Sequence, residues 1–479
     1  MVVKHSIFLS SKVRDLHLDV LKGQFESFDS FSSWLEGMIL NYLNPVIIDR
    51  GQELTAQNLI KIVDSLESSL TGLSGKVVLL EERASANFVI MMVALLRVGA
   101  IIAPVSPSIP EMEHQSMAKL IGAYAVMRPK AGQPLKEFEI EILSTFTPVV
   151  VPSSMLAGPG FVRFTSGTTG VAKGVCISAR AAHARAVSCA AAFSLSAEDQ
   201  VLLMVPMEQH FVASLLAFLA SGVTINIPTH RILDSDEYKN VSIIFAAPID
   251  VRVLSAGSRS GLVNLRLTIA TTGPITDEEC QRFHSVTGVP VSRVYGAIEV
   301  GLALGNIGAV SKLSESLGYP FPGFQIKICE GPYKGQLAFR GTGISDGYIT
   351  SDLESDSPLQ DGWFITSDLA EQLSDESYRI IGRVNSVINV AGYKVFPEEV
   401  EGVLRAHPDV LDVRVHGVVH GLLGQIVCAD VVTTDGVSLK EATLRKFCRS
   451  RLNQYKIPQY FNFVSSLPKT LSGKIRRWT

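Results

Sequence analysis

Residues 164–175, Phe-Thr-Ser-Gly-Thr-Thr-Gly-Val-Ala-Lys-Gly-Val, gather hydroxyls, glycines and a lysine into one short stretch. That chemistry suits the holding of phosphate. Gly167, Gly170 and Gly174 let backbone N–H groups converge at φ values other residues resist, Thr165, Ser166, Thr168 and Thr169 add neutral donors, and Lys173 adds charge. This is not a Walker loop, which needs G-x-x-x-x-G-K followed by Ser or Thr for magnesium. Here Gly174 follows Lys173 and the glycine spacing differs.

Such a loop needs rigid elements to hold it. Apolar strand-like runs at residues 76–80, 100–105, 201–206, 223–228, 241–246, 265–270 and 291–295 alternate with helical patterns at 84–97, 209–220 and 277–287. Fully apolar strands joined by helical crossovers predict parallel sheets covered on both faces. From Gly318 the texture changes, and runs at 324–329, 336–339 and 379–382 read as antiparallel β structure. After Arg383 a compact α+β unit is expected: a strand pair over 387–395, a helix over 397–407, strands over 410–419 and 425–433, and a helix over 439–453. The predicted fold class is α/β, a large N-terminal domain of αβα-layered parallel sheets with a small β-barrel-like part, then a small α+β C-terminal domain. The boundary is placed between residues 1–383 and 384–479.

Composition fits an enzyme acting on small molecules. A chain of 479 residues, 47% hydrophobic and 19% charged, can bury sizeable cores. A net charge of −3 gives no reason to expect a nucleic-acid partner. The six cysteines contain no C-x-x-C pair, against a zinc site or a disulfide framework, and a reducing cytoplasm is the expected setting. Residues 1–6 lead into no signal-peptide pattern, and the apolar runs at 88–103 and 211–227 are interrupted by polar residues and glycines, so no membrane span is expected.

Three further stretches extend the argument: Tyr295-Gly296-Ala297-Ile298-Glu299, Gly362-Trp363-Phe364-Ile365-Thr366-Ser367-Asp368, and residues 468–477, Pro-Lys-Thr-Leu-Ser-Gly-Lys-Ile-Arg-Arg. In this order and at these separations, the four together resemble the acyl-adenylate-forming superfamily of acyl-CoA synthetases, peptide-synthetase adenylation domains and firefly luciferase. The resemblance runs from about Val77 to Arg477. It implies that a carboxylate attacks the α-phosphorus of ATP, with positioning and charge stabilisation carrying catalysis. A mobile C-terminal domain then caps the site and swings between two half-reactions.

On the resemblance, Thr165, Ser166, Gly167, Thr168, Thr169, Gly170 and Lys173 hold the ATP phosphates. Lys474 contacts both the substrate carboxylate and the α-phosphate, and Glu299 ligates Mg²⁺. Tyr295 and Gly296 form the adenine platform, Thr272 and Gly273 belong to the nucleotide site, and Asp368 with Arg383 binds the ribose. His210 sits at the acyl-pocket entrance, with Val212, Ala213, Gly273 and Gly301 lining the pocket, and Asn385 is the hinge. Ile298 stands where a threonine is usual, Asn385 where Asp or Lys is usual, and Asn389 where a lysine is common.

Amino-acid-activating relatives carry an aspartate in Phe-Asp-x-Ser; here the stretch is Phe211-Val212-Ala213-Ser214. A buried ammonium without a partner costs several kcal/mol, so an uncharged aryl or short-to-medium aliphatic acid is expected. The expected acceptor is CoA, with the phosphopantetheine of an acyl or peptidyl carrier protein, or an amine, as the alternatives. A non-catalytic nucleotide- or acyl-binding protein is the reading from a different class.

Overall fold

A computed structural model describes residues 28–130, 137–143, 160–165, 173–228, 238–256, 262–349, 359–434 and 439–468. Two large sheets form the body. The first runs Gly347–Ile349, Lys173–Ser178, Gly160–Thr165, Ile101–Val105, Val77–Glu81, Ala125–Pro129, Phe138–Ile142. Its middle four strands are parallel and its flanks antiparallel. The second runs Tyr319–Pro320, Gly301–Gly305, Val291–Ala297, Leu267–Ala270, Ile243–Ala246, Gln200–Leu203, Thr224–Ile227, Pro45–Asp49, Gln52–Thr55. From Val291–Ala297 to Pro45–Asp49 it is parallel throughout.

Side-chain alternation divides each strand between two cores. Val78, Leu80 and Ile102 face the main core, while Val77, Leu79, Ile101 and Ala103 pack outward under the helix Glu111–Leu120. Ile243 and Phe245 likewise join the main core, and Ile244 and Ala246 face the outer helices Pro248–Ser255 and Asp277–Thr287. Between the sheets lie Ala86–Arg97, Ala179–Phe193 and the helical segments from Met207 to Ala220, touching strands of both, with Phe28–Leu40 packed on these helices.

Local chemistry explains the elements. Ser85 caps Ala86–Arg97 by accepting the Phe88 N–H at 3.2 Å, and Gly99, at φ +77°, turns the chain into Ile101–Val105. The apolar run at 88–103 is therefore a buried helix–strand pair, and among the described residues no helix is long and apolar enough to cross a membrane. Thr276 and Glu279 form a reciprocal capping box at the start of Asp277–Thr287, and Gly288, at φ +75°, ends it.

The helix expected over 209–220 is three pieces: Met207–His210, a π-helical turn Phe211–Leu215, and Leu216–Ala220. A π turn shifts the register of the side chains that follow, and such turns are often found at functional sites. The strand Pro45–Asp49 has no counterpart among the sequence expectations. The antiparallel region is a five-stranded sheet in which Trp363–Gln372 pairs with Gln336–Gly341 on one edge, and with Leu359–Gln360 and Tyr378–Arg383 on the other.

A separate apolar core belongs to residues 388–461, where a sheet built on the long hairpin of Val410–His420 and Gly424–Thr433 packs on the helices Pro397–Arg405 and Glu441–Arg449. Asn385 lies in the short 3₁₀ turn Val384–Ser386 that leads into it.

Candidate functional site

In the second sheet the chain passes from Gln200–Leu203 to its neighbour Thr224–Ile227, then crosses back to Ile243–Ala246 on the other side. Ligands of open α/β sheets bind outside the carboxyl ends of strands at such a reversal. His210 follows the first of these ends, is 8% exposed, and sets its ring edge-on to Phe245 at 5.6 Å. Its carbonyl accepts from the Ser214 hydroxyl within the π turn. Thr272 and Gly273 follow the carboxyl end of Leu267–Ala270; Thr272 holds a left-handed φ of +76°, a costly conformation for a β-branched residue.

The turn Tyr295–Glu299 lies where Val291–Ala297 folds back on Gly301–Gly305. A Cβ on Gly296 would sit 2.2 Å from the Gly301 carbonyl oxygen, so this hairpin itself demands glycine there. The Tyr295 ring stacks on Phe339 at 5.7 Å, its planes 6° apart, and its hydroxyl donates to Asp368 Oδ2 at 2.5 Å. Arg383 Nε donates to Asp368 Oδ1 at 2.6 Å, the two residues being cross-strand neighbours. Asp368 is thus gripped on both oxygens. Burial, then Asp368, push the Tyr295 phenol well up, keeping it a donor; the Asp368 charge raises Arg383.

The ends of the 164–175 stretch are pinned as a hairpin by the pairing of Thr165 with Lys173. Ser166, Gly167, Thr168, Thr169 and Gly170 lie outside the described residues, as does Lys474. Lys173 places its Nζ 5.1 Å from the Tyr348 ring centre, and the Tyr348 hydroxyl donates to Glu299 Oε1 at 3.1 Å. Tyr348 stands opposite Val175 on the adjacent strand, which is how the sheet aims it. Lys173, Tyr348 and Glu299 therefore form one contiguous group.

Among the described residues Glu299 Oε2 has no hydrogen-bond partner, and no cluster of three or more His, Cys, Asp or Glu is present. A carboxylate with one oxygen open, in contact with the Lys173–Tyr348 pair, fits Mg²⁺, which typically binds one or two carboxylates and completes its shell with phosphates and water.

Two buried arginines escaped the sequence reading. Arg185, 2% exposed on Ala179–Phe193, donates from Nε to the Gly343 carbonyl at 2.6 Å, from Nη1 to Ile298 at 3.2 Å and from Nη2 to Glu299 at 2.9 Å. It ties the Tyr295–Glu299 turn to the inter-sheet helix. Arg163 donates to the Gln209 carbonyl and lies 5.8 Å from the Phe211 ring centre. A single arginine in an apolar run carries no motif, and both partners lie far away in sequence. The expected pocket lining is dispersed: Val212 is 1% exposed within the main core, Ala213 packs at its edge, and Gly301 abuts the Arg185 side chain, 2.8 Å from where a Cβ would stand.

Residues 42–349 match the family described as AMP-binding enzyme, and residues 399–474 match the AMP-binding enzyme C-terminal domain. The chain belongs to the AMP-binding enzymes. The motif residues resemble the acyl-adenylate-forming superfamily for this reason.

Among its relatives is naringenin synthase of Pestalotiopsis fici, 31% identical over 66% of this chain but only 12% of that protein. The 2-succinylbenzoate–CoA ligase of Bacillus licheniformis is 28% identical over 73% of this chain and 76% of that protein. The solved structure of o-succinylbenzoate CoA synthetase from Bacillus subtilis, in complex with its acyl-adenylate intermediate, superposes with a TM-score of 0.80 at 21% identity. It covers 95% of this chain and 98% of that one, and so shares the fold.

Proposed function

We propose that this protein uses ATP and Mg²⁺ to convert a carboxylic acid, aryl or short-to-medium aliphatic, into an acyl-adenylate, releasing pyrophosphate, and then transfers the acyl group to the thiol of CoA. The observation that carries the reading is a pair of bonded groups joined by the Tyr295–Glu299 turn, Lys173, Tyr348 and Glu299 in one and Asp368, Tyr295 and Arg383 in the other. A phosphate-and-metal pole beside a carboxylate held for a diol is what a nucleoside triphosphate requires. Mg²⁺, when bound, neutralises phosphate charge during attack at the α-phosphorus.

In this reading residues 165–173 hold the phosphates, Thr272, Gly273, Tyr295 and Gly296 receive the nucleoside, and Asp368, oriented by Arg383, binds the ribose. Lys474 bridges the carboxylate and α-phosphate, and His210 borders the acyl site. The proposed domains are 1–383 and 384–479, with Asn385 as pivot, and a reducing cytoplasm is the proposed setting.

Relatives named as CoA ligases support CoA as acceptor. Incubation with ATP, an acid panel and CoA, a carrier-protein phosphopantetheine or an amine, followed by mass spectrometry, tests this. The acyl-CoA thioester is the expected product, and an acyl-carrier or amide product in its place overturns the choice of acceptor.

A further inference from the structure

The strand Gly160–Thr165 turns Phe161 into the inter-sheet core, and its alternation sends Arg163 the same way. Arg163 is 8% exposed there. Nη1 donates to the Gln209 carbonyl, the residue before His210, and among the described residues Nε and Nη2 meet no acceptor. The N–H groups of Arg185, the other buried guanidinium within electrostatic reach, are committed to three carbonyls. Glu208 is the acid that acts on Arg163, without a hydrogen bond to it among the described residues. Burial pulls Arg163 down to about 10 and pushes Glu208 up. With two of its donors lacking an acceptor among the described residues, this guanidinium is ill matched to a site meant only for an apolar tail.

We propose that Arg163 receives a second carboxylate of the substrate, so that the acid activated is a dicarboxylic acid whose far carboxylate lies beside His210 and Phe211. This rests on the adenylation reading above and replaces the uncharged acid expected from the Phe211-Val212-Ala213-Ser214 stretch. A charge-assisted, bidentate guanidinium–carboxylate pair would engage both Nε and Nη2. Glu208 competes for the same cation and opposes binding until displaced or protonated.

The test is acid-dependent ATP–pyrophosphate exchange with matched pairs, glutarate against valerate, adipate against hexanoate and isophthalate against benzoate. It is run on the wild type and on Arg163→Met, Arg163→Lys and Glu208→Gln, with thermal unfolding to establish that each folds. At least one diacid should exceed its monoacid partner about tenfold or more in kcat/KM. Arg163→Met should collapse that ratio at least about tenfold, through KM, as expected when a bidentate charge-assisted pair is lost. Arg163→Lys should restore part of it, and Glu208→Gln should lower the diacid KM. Exchange confined to monoacids, or a ratio unmoved in Arg163→Met and Glu208→Gln, overturns the assignment while leaving adenylation standing. Exchange with no acid overturns the adenylation reading and this assignment with it.

Discussion

Arg185→Met tests whether a buried cation, rather than the turn's own sequence, holds Glu299 in place. Methionine keeps much of the stem beside Gly301 but removes the bonds to Gly343, Ile298 and Glu299. At about 1 kcal/mol net per bond the loss approaches about 3 kcal/mol. Relief of the burial cost that draws the guanidinium down to about 9 opposes it. The expected loss of unfolding free energy is about 1–3 kcal/mol. Function should suffer more, because among the described residues the Glu299 carbonyl retains only the Ser345 N–H, at 2.6 Å, and displacement of about 1 Å at a catalytic group can cost about 100-fold. In ATP–pyrophosphate exchange with a Mg²⁺ titration, Arg185→Met should need at least fivefold more Mg²⁺ (a rough expectation) and turn over about 10- to 100-fold more slowly. A folded variant with exchange rate and Mg²⁺ dependence within about twofold of wild type would refute the positioning argument.

Three other outcomes are expected. Tyr295→Phe keeps the ring on Phe339 but loses its bond to Asp368, so unfolding free energy should fall by about 1–2 kcal/mol while the KM for ATP changes less than about threefold; Asp368→Ala should raise that KM about tenfold or more in the same exchange assay. Gly296→Ala drives a Cβ into the Gly301 carbonyl, a backbone clash that should lower the thermal midpoint by several degrees and abolish exchange. Cys176 and Cys189, fully buried and pushed by burial up to about 12, hold almost no thiolate at pH 8 and should resist a disulfide thiol reagent until the protein unfolds; fast modification of either in the native state would contradict their environment.

The sequence was most legible where signals are local. The helical pattern over 277–287 becomes Asp277–Thr287, which the structure shows capped by Thr276, Glu279 and Gly288, and the parallel strands follow unbroken apolar runs. Pro45–Asp49 carries only the short run Val46–Ile48, its parallel partner strand lies nearly 180 residues away, and only the completed sheet makes it a strand. The break at Phe211–Leu215 was hidden for a different reason: the apolar pattern is continuous, and what changes is the hydrogen-bond register. Tyr295, Asp368 and Arg383 could be grouped through family resemblance, but their mutual bonding could not. Tyr348, Arg163 and Arg185 acquire meaning only through contacts 46 to 158 residues distant.

The central claim is adenylation, and acid-dependent ATP–pyrophosphate exchange beside Lys474→Ala tests it most directly. The account predicts exchange that requires both Mg²⁺ and a carboxylic acid, and that falls at least about 100-fold in Lys474→Ala while ATP binding persists. ATP binding by the wild type without exchange on any acid, or undiminished exchange in Lys474→Ala, would contradict it.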